Sequence, residues 1–399
     1  MDDGRPTDAT ARPDRPAGKP STPRWLTGDD PLGRPPDRQV LVVGDGPAGL
    51  TLGAFLASAG LDPVVVGGDG RDRATRILWP PTLELLADIG VADEVATAAA
   101  PVRSFSVLHA AGPERPSTRS IDADARAPVV VESDRLCDRL GERLPDHAFE
   151  RDRGVETVRE REGTAVVEFD DGVRERFDVV VATDDRTVER PRRGGTAVPT
   201  IAACERTVQS DELPAHHLRD VWHRNALVQR FPSPQGVSAR LRVTTTEPVP
   251  EAWLADSDWT GVPGVEPDTA EATAWRTVPQ FLDAEAIGSG WWGSGLRPRC
   301  GPAALPAAAA SGLRTALAIE DAWALASVLV DGPSSVGDAV DAYTSRRSRR
   351  LSAVVAGVDA GRNDGCPEPA ALRAVERLRT AALGSAASEA TDADPNTDG

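Results

Sequence analysis

Lysine is almost absent from the sequence, and cysteine is sparse. Lys19 is the only lysine, and the four cysteines are scattered at Cys137, Cys204, Cys300 and Cys366. None of their spacings is typical of a metal site or of a secreted disulfide framework. We therefore expect a fold without disulfides, in a reducing compartment such as the cytoplasm.

Long apolar runs are also missing. No stretch approaches the roughly 18 apolar residues that a membrane-spanning helix needs. The first residues lack the basic and then apolar pattern of a signal peptide. These absences predict a cytoplasmic protein without a membrane span.

Positive charge is outnumbered by negative charge. The chain has 62 acidic and 45 basic residues, a net charge of −17, and its basic residues are nearly all arginine. An excess of carboxylates is typical of halophilic proteins, because concentrated salt screens their repulsion. The same charge argues against a nucleic-acid partner, which would require a basic face. A solvated face and a ligand site explain the arginines between 346 and 350 about equally well.

The two ends of the chain differ from its centre in composition. Residues 1–37 and 388–399 are polar and rich in Pro, Asp and Gly, which predicts disordered tails. Between them, short Val/Leu runs alternate with helical patterns early and late, while strand-like segments dominate the middle. This order predicts an α/β fold in which a parallel unit carries an inserted mixed or antiparallel sheet.

The parallel unit begins with a β-α-β pattern. Gln39–Val43 is apolar and too short for a helix, residues 50–59 have a helical pattern, and residues 63–66 form a second apolar run. Gly44, Gly46 and Gly49 stand between the first strand and the helix. A Gly-x-Gly-x-x-Gly turn in this context indicates a dinucleotide site whose phosphates lie at a helix N-terminus. A glycine-rich turn without a ligand is the alternative.

A carboxylate for the adenosine ribose is expected about 20 residues later, at the end of the second strand. Gly67 occupies that position, and Asp69 follows two residues later. Asp69 is either the ribose ligand or an ordinary turn residue. Further along, Asp-Asp-Gly at 170–172 predicts a hairpin of strands 165–169 and 174–181.

Several segments from residue 38 to about 350 resemble the flavin-dependent aromatic hydroxylases. They are Arg73-Ala-Thr followed by the apolar pattern of 82–86, the strand and helix of 129–140, Ala-Thr-Asp at 182–184, and Ser311-Gly312 with the helical pattern of 316–329. The resemblance implies a Rossmann-like FAD-binding domain, FAD as the cofactor and NAD(P)H as the co-substrate. It also implies cofactor contacts at Gly44, Gly46, Pro47, Ala48, Gly49, Asp69, Arg73, Asp184, Gly301, Ala303, Gly312 and Leu313.

The chain departs from the family pattern at several positions, among them Val188, which replaces a serine. Gly67 replaces the acidic residue, Ser133 replaces an arginine or glutamine at the flavin, Asp185 replaces a glycine, and Pro302 replaces an aspartate that touches the ribityl chain. The flavin contact at position 133 is then either lost or made by the neighbouring Arg135. Pro298 makes residues 296–300 a poor central strand.

The resemblance also divides the chain. It implies an FAD-binding domain at about 38–96, 125–192 and 293–350, a substrate-domain sheet at about 97–124 and 193–292, and a helical segment at 351–387. The histidines show no metal-ligand spacing, and the adjacent pair His216 and His217 is expected on a surface turn. We assign no catalytic residue and no metal site from the sequence.

The function implied is that of an FAD-dependent monooxygenase, which hydroxylates an aromatic or other apolar small molecule with NAD(P)H and O2. Two alternatives remain open. One is an FAD-dependent reductase or dehydrogenase of the prenyl-reductase type, and the other is a degenerate, non-catalytic flavin-binding protein. The oligomeric state does not follow from the sequence.

Overall fold

The computed structural model describes residues 38–68, 75–109, 117–120, 127–184, 200–208, 216–223, 226–234, 239–245, 276–279, 292–304, 314–331 and 335–359. The helices are α1 (Pro47–Ser58), α2 (Pro80–Asp88), α3 (Ala92–Thr97), α4 (Ser133–Gly141), α5 (Arg314–Asp331) and α6 (Val336–Asp359). The strands are β1 (Gln39–Val43), β2 (Asp62–Gly67), β3 (Thr75–Leu78), β4 (Ala100–Pro101), β5 (Ser104–His109), β6 (Ser117–Ser120), β7 (Val129–Glu132), β8 (Phe149–Arg151), β9 (Val155–Arg161), β10 (Thr164–Phe169), β11 (Arg174–Phe177), β12 (Val179–Ala182), β13 (Thr200–Val208), β14 (His217–His223), β15 (Ala226–Pro232), β16 (Ala239–Thr245), β17 (Arg276–Pro279), β18 (Gly293–Ser294) and β19 (Arg297–Pro298). Both predicted tails, 1–37 and 388–399, lie outside the described residues.

A four-stranded parallel sheet in the order β12-β1-β2-β8 forms the base of the fold. Its central strand β1 is fully buried at Val40, Leu41 and Val42. Strands covered on both faces are apolar throughout, which is why this segment shows no alternating pattern. The α/β fold class with a parallel sheet is as predicted.

The two faces of β1 belong to different cores. Val40 and Val42 pack with apolar residues of α1 and α5, whereas Leu41 and Val43 pack with apolar residues of β10 and β11. Side chains alternate across a strand, so helices cover one face of the sheet and a three-stranded antiparallel sheet, β11-β10-β9, covers the other. Because both faces of β1 are packed, the carboxyl end of this strand, after which α1 begins, is held in place.

The predicted strand 174–181 is in fact two strands. β11 ends at Phe177 and pairs with β10, while β12 begins at Val179 and runs parallel to β1. Asp178 stands at the break: its backbone N–H donates to Gln39 O (2.9 Å), and its carboxylate accepts from Gln39 N (2.8 Å). No glycine or proline marks the break between β11 and β12, so the sequence did not reveal this transfer of the chain from one sheet to the next.

A separate seven-stranded sheet has the order β17-β13-β16-β15-β14-β5-β6. It is antiparallel except where β14 runs parallel to β5. Its strands come from two stretches of the chain, 104–120 and 200–279, and strands β7 to β12 lie between them in the sequence. β15 and β16 pair antiparallel as neighbours in the chain.

Helix α1 begins earlier than the apolar periodicity predicts. It starts at Pro47 rather than at residue 50, because Gly46 is the N-cap and Pro47 takes the first helical position. Gly49 is therefore a helical residue. None of the described helices is long and apolar enough to cross a membrane.

Candidate cofactor site

The turn between β1 and α1 is built around three glycines that have different tasks. Gly44 has φ +122°, a conformation that favours glycine, and its N–H donates to Val66 O (2.8 Å). A Cβ on Gly49 would overlap the carbonyl oxygen of Gly44. The helix consequently starts in direct contact with the end of β1.

Gly46 is the open position of this turn. A Cβ placed on Gly46 would meet no heavy atom of the described residues within 4 Å. The residue is exposed and caps α1 without a side-chain hydrogen bond. The first N–H groups of a helix lack partners within it and carry a partial positive charge, so this opening is suited to an anion.

Thr183 holds the turn from the adjacent strand. It follows β12, is buried, and its hydroxyl lies 3.0 Å from Val43 O and 3.3 Å from Gly44 O. Asp184 follows it, with its backbone nitrogen 3.3 Å from where a Cβ of Gly44 would lie. Sequence reasoning selected Asp184 but missed Thr183, whose position directly after an apolar strand was the available signal.

A second turn reaches the start of α1 from the other end of the chain. Gly301 opens a short 3-10 turn, Gly301–Ala303, with φ +58°. A Cβ on Gly301 would lie only 2.7 Å from the Cβ of Ala48 and 3.0 Å from that of Ala318. The structure therefore brings Gly301 against Ala48 of the glycine turn, although the two are far apart in sequence.

Residues 296–300, which precede this turn, were expected to form a poor strand because of Pro298. The strand there, β19, is indeed only two residues long. Only Arg297–Pro298 pairs, with Gly293–Ser294, and Arg299 forms a single parallel bridge to Ala182. Pro302 occupies the start of the 3-10 turn, where a missing N–H breaks no helical hydrogen bond. The proline is accommodated without distorting the turn.

A buried ion pair fixes the Gly301 turn. The N–H of Gly301 donates to Asp321 Oδ2 of α5 (2.9 Å), and the Nε of Arg347 in α6 donates to Asp321 Oδ1 (2.5 Å). Asp321 is fully buried, and the Arg347 side chain is 2% exposed. Arg347 also reaches Glu320 at 2.6 Å. The arginine cluster at 346–350 is thus not simply a solvated face.

The charges in this cluster shift one another's pKa. Burial alone would raise the pKa of Glu320, but Arg347 and Arg350 outweigh it and lower that pKa to about 2. Burial would lower the pKa of Arg347, but Glu320 and Asp321 raise it above its ordinary value. Burial raises the pKa of Asp321, and Arg347 and the Gly301 N–H counteract it in part. Glu320 and Arg347 are charged at neutral pH, and α5 and α6 are tied together beside the Gly301 turn.

At Gly67 and Ser133, where the chain departs from the family pattern, another polar side chain lies close by. The side chain of Asp45 lies against Gly67, where a Cβ would collide with its Cβ and Cγ and lie 2.9 Å from its Oδ1. Ser133 is buried, and its hydroxyl lies 3.4 Å from the Nε of Arg76. Sequence reasoning missed both Asp45 and Arg76.

Arg135, the predicted substitute for Ser133, is 49% exposed and pairs with Glu132 (3.2 Å), and its contact with the flavin stays a prediction. The expectation that His217 lies on a surface turn was wrong. His217 is buried rather than on a surface turn, hydrogen-bonded through Nδ1 to Ser104 (2.7 Å), and burial lowers its pKa. His216 does occupy a turn, with φ 68°.

The remaining predicted site residues lie outside the described part of the chain. They are Asp69, Arg73, Gly312 and Leu313, together with the departures at Asp185 and Val188. Pro47 and Ala303 are described and partly buried, in the glycine turn and the Gly301 turn respectively. Within the described ranges, no group of three or more His, Cys, Asp or Glu side chains could hold a metal ion.

Comparison with known proteins shows what the chain resembles. Residues 37–189 match the FAD binding domain family. No curated protein sequence matches the chain. The resemblance to flavin-dependent hydroxylases seen in the sequence is supported over this part of the chain.

Solved structures extend the likeness to the whole fold. Klebsiella pneumoniae HpxO complexed with FAD and uric acid is 18% identical, with a TM-score of 0.63 over 88% of this chain and 91% of that one. P. aeruginosa PqsL in complex with 2-aminobenzoylacetate is 20% identical, with a TM-score of 0.62 over 88% and 100%. The 2,6-dihydroxypyridine-3-hydroxylase of Arthrobacter nicotinovorans is 16% identical, with a TM-score of 0.60 over 82% and 92%. The chain has the fold of the flavin-dependent hydroxylases.

Proposed function

We propose that this protein is an FAD-dependent monooxygenase that uses NAD(P)H and O2 to hydroxylate an aromatic or other apolar small molecule. The open position at Gly46, between the closely packed Gly44 and Gly49, carries the proposal. A dinucleotide diphosphate needs bare backbone at the mouth of a helix, and this turn offers it. The match of residues 37–189 to the FAD binding domain supports FAD as the dinucleotide.

The residues that would hold FAD lie in the two turns at the start of α1. The N–H groups of Ala48 and Gly49 would face the diphosphate, while Pro47 has no N–H and presets the first helical residue. Asp184, Gly301 and Ala303 would line the edge beside them. Asp69, Arg73, Gly312 and Leu313 complete the proposed set.

The protein would position and shield, and the cofactor would supply the redox chemistry. Bound FAD would take a hydride from NAD(P)H and activate O2 for transfer to an electron-rich substrate. The seven-stranded sheet is proposed to cover the substrate, which is in keeping with the aromatic ligands named for HpxO and PqsL. The cytoplasm is the proposed location, since both described cysteines, Cys137 and Cys300, are free thiols.

A non-catalytic flavin-binding protein is the second candidate. Pro302 favours it, because this position offers neither a carboxylate nor an N–H to the ribityl chain. The intact Gly301 turn opposes it, because the backbone still meets Ala48. A reductase or dehydrogenase would use the same cofactor contacts.

Purification of the full chain in high salt separates these possibilities. We expect a yellow protein with a flavin absorption spectrum, and NADH or NADPH oxidation that consumes O2 and is stimulated by an aromatic substrate. A yellow protein that reduces its substrate without consuming O2 would be a reductase. A protein that retains no flavin, and binds none when FAD is added, would contradict the proposal.

A further inference from the structure

The end of β2 lacks the side chain that a dinucleotide site usually has there. A carboxylate at this position binds the adenosine ribose in the common fold. Gly67 stands there instead, and the side chain of Asp45 lies over its Cα. The glycine is therefore not an empty position, because a carboxylate from another strand end already covers it.

The route of the chain explains how Asp45 gets there. β1 and β2 are adjacent and parallel, so both end at the same edge of the sheet. The N–H of Gly44 donates to Val66 O (2.8 Å), which pulls the turn after β1 across to the last residues of β2. Asp45 is the next residue, and it is only partly buried.

Asp45 and a side chain at position 67 exclude each other. A Cβ on Gly67 would collide with the Cβ and Cγ of Asp45 and lie 2.9 Å from its Oδ1. In this backbone, the side chain of Asp45 leaves room only for glycine at position 67. The carboxylate at position 45 and the glycine at position 67 therefore depend on each other sterically.

We propose that Asp45 binds the 2′- and 3′-hydroxyls of the adenosine ribose, in place of a carboxylate at the end of β2. This inference rests on the proposed FAD site. The carboxylate of Asp45 lies beside the space that a side chain at position 67 would occupy. Asp45 also directly precedes Gly46, where the diphosphate is proposed to bind. A carboxylate accepts hydrogen bonds from both hydroxyls of a cis-diol, and such bonds to a charged group are the strong ones.

Binding of nucleotide probes to the full-length apoprotein tests the assignment without any activity measurement. The probes are ADP and 2′,3′-dideoxy-ADP. Each is titrated by calorimetry, or by competition with bound FAD followed through the recovery of FAD fluorescence. We expect the wild-type chain to bind ADP at least about 10-fold tighter, because the dideoxy probe cannot form the two charge-assisted hydrogen bonds. Asp45→Ala should reduce this ratio to below about 3-fold.

Asp62→Ala is the control, because Asp62 is an exposed carboxylate at the opposite end of β2. It should retain the ADP preference. Asp45→Asn, which preserves shape and removes charge, should abolish most of the preference and guards against a change in the turn. Preference retained in Asp45→Ala, or abolished in Asp62→Ala as well, would overturn the assignment.

A swap of the two positions gives an independent test. Gly67→Glu alone should weaken FAD binding, because the new side chain meets Asp45. Asp45→Gly with Gly67→Glu should restore both FAD binding and the ADP preference. Failure of the double variant to regain the ADP preference while it still binds FAD would overturn the inference and leave the FAD site standing. Absence of FAD and ADP binding in the wild-type chain would overturn both.

Discussion

Two turns meet at the start of α1, and they are held in place by opposite means. The glycine turn at 44–49 depends on missing side chains, since a Cβ on Gly49 would overlap backbone. The Gly301 turn depends on charged side chains, because its N–H is held by Asp321, which Arg347 holds in turn. Close backbone contact holds the first turn, and a buried ion pair helps to hold the second.

The difference shows why the two turns tolerate change differently. Close contacts exclude a larger residue at Gly44 and Gly49 of the first turn, but not at Gly46. The second turn needs glycine only at Gly301, and it is held in addition by Asp321 of α5 and Arg347 of α6. Pro302 can therefore replace a cofactor-binding residue while the chain path near Ala48 is preserved.

The largest effect on stability is expected from Arg347→Met. The variant leaves Asp321 and Glu320 without their shared cation, and a broken buried ion pair typically costs about 3–5 kcal/mol. Denaturant unfolding of the full chain measures this cost. Because the Arg347 side chain is only 2% exposed, the destabilisation should persist in concentrated salt.

Arg350→Ala is the control within the same cluster. Arg350 is 55% exposed and contacts Glu320 at 2.9 Å, so its removal should cost about 1 kcal/mol or less, and the cost should shrink as salt is added. A double variant, Arg347→Met with Asp321→Leu, should recover much of the stability because no buried charge is left unpaired. Equal destabilisation by Arg347→Met and Arg350→Ala would contradict the buried pair.

Gly49→Ala is expected to have the next largest effect. The methyl group would overlap the Gly44 carbonyl oxygen and push α1 away from β1, at a cost of about 3 kcal/mol. Thermal or denaturant unfolding, together with the flavin content, checks this. Gly141→Ala in α4 is the matched control, since no described atom lies within 4 Å of its Cβ position. It should be neutral or slightly stabilising; a similar destabilisation in both variants would argue against the close contact.

A pH dependence should follow from Glu320. Its pKa is lowered from 4.5 to about 2 in the folded state, so its stabilisation is complete above the unfolded pKa. The stabilisation disappears as the pH falls from about 4.5 to 2, and amounts to about 1–3 kcal/mol. Glu320→Gln should therefore melt below the wild type at pH 7 and converge with it only as the pH approaches 2, as followed by circular dichroism. A gap that is constant with pH would contradict the ion pairs.

Much of the parallel unit could be predicted from the sequence, because its signals are local. The strand Gln39–Val43 has the predicted bounds, and the glycine spacing places the turn. The break at Asp178 could not be predicted, since no glycine or proline separates β11 from β12. The apposition of Asp45 and Gly67 is equally hidden, because it depends on strand order and not on spacing.

The smallest effect on folding, with a large effect on the cofactor, is expected from Gly46→Val. The backbone at Gly46 is extended (φ −77°, ψ −179°), a conformation that valine adopts readily, and the side chain would meet no described atom within 4 Å. The decrease in unfolding free energy should stay below about 1 kcal/mol, mainly from a poorer helix cap. The same side chain would fill the proposed diphosphate position, so FAD affinity should fall at least about 100-fold. Flavin content after gel filtration and FAD titration measure this, with Gly141→Val as the control of equal size. A folded Gly46→Val protein that retains its flavin would show that the diphosphate does not lie on this turn.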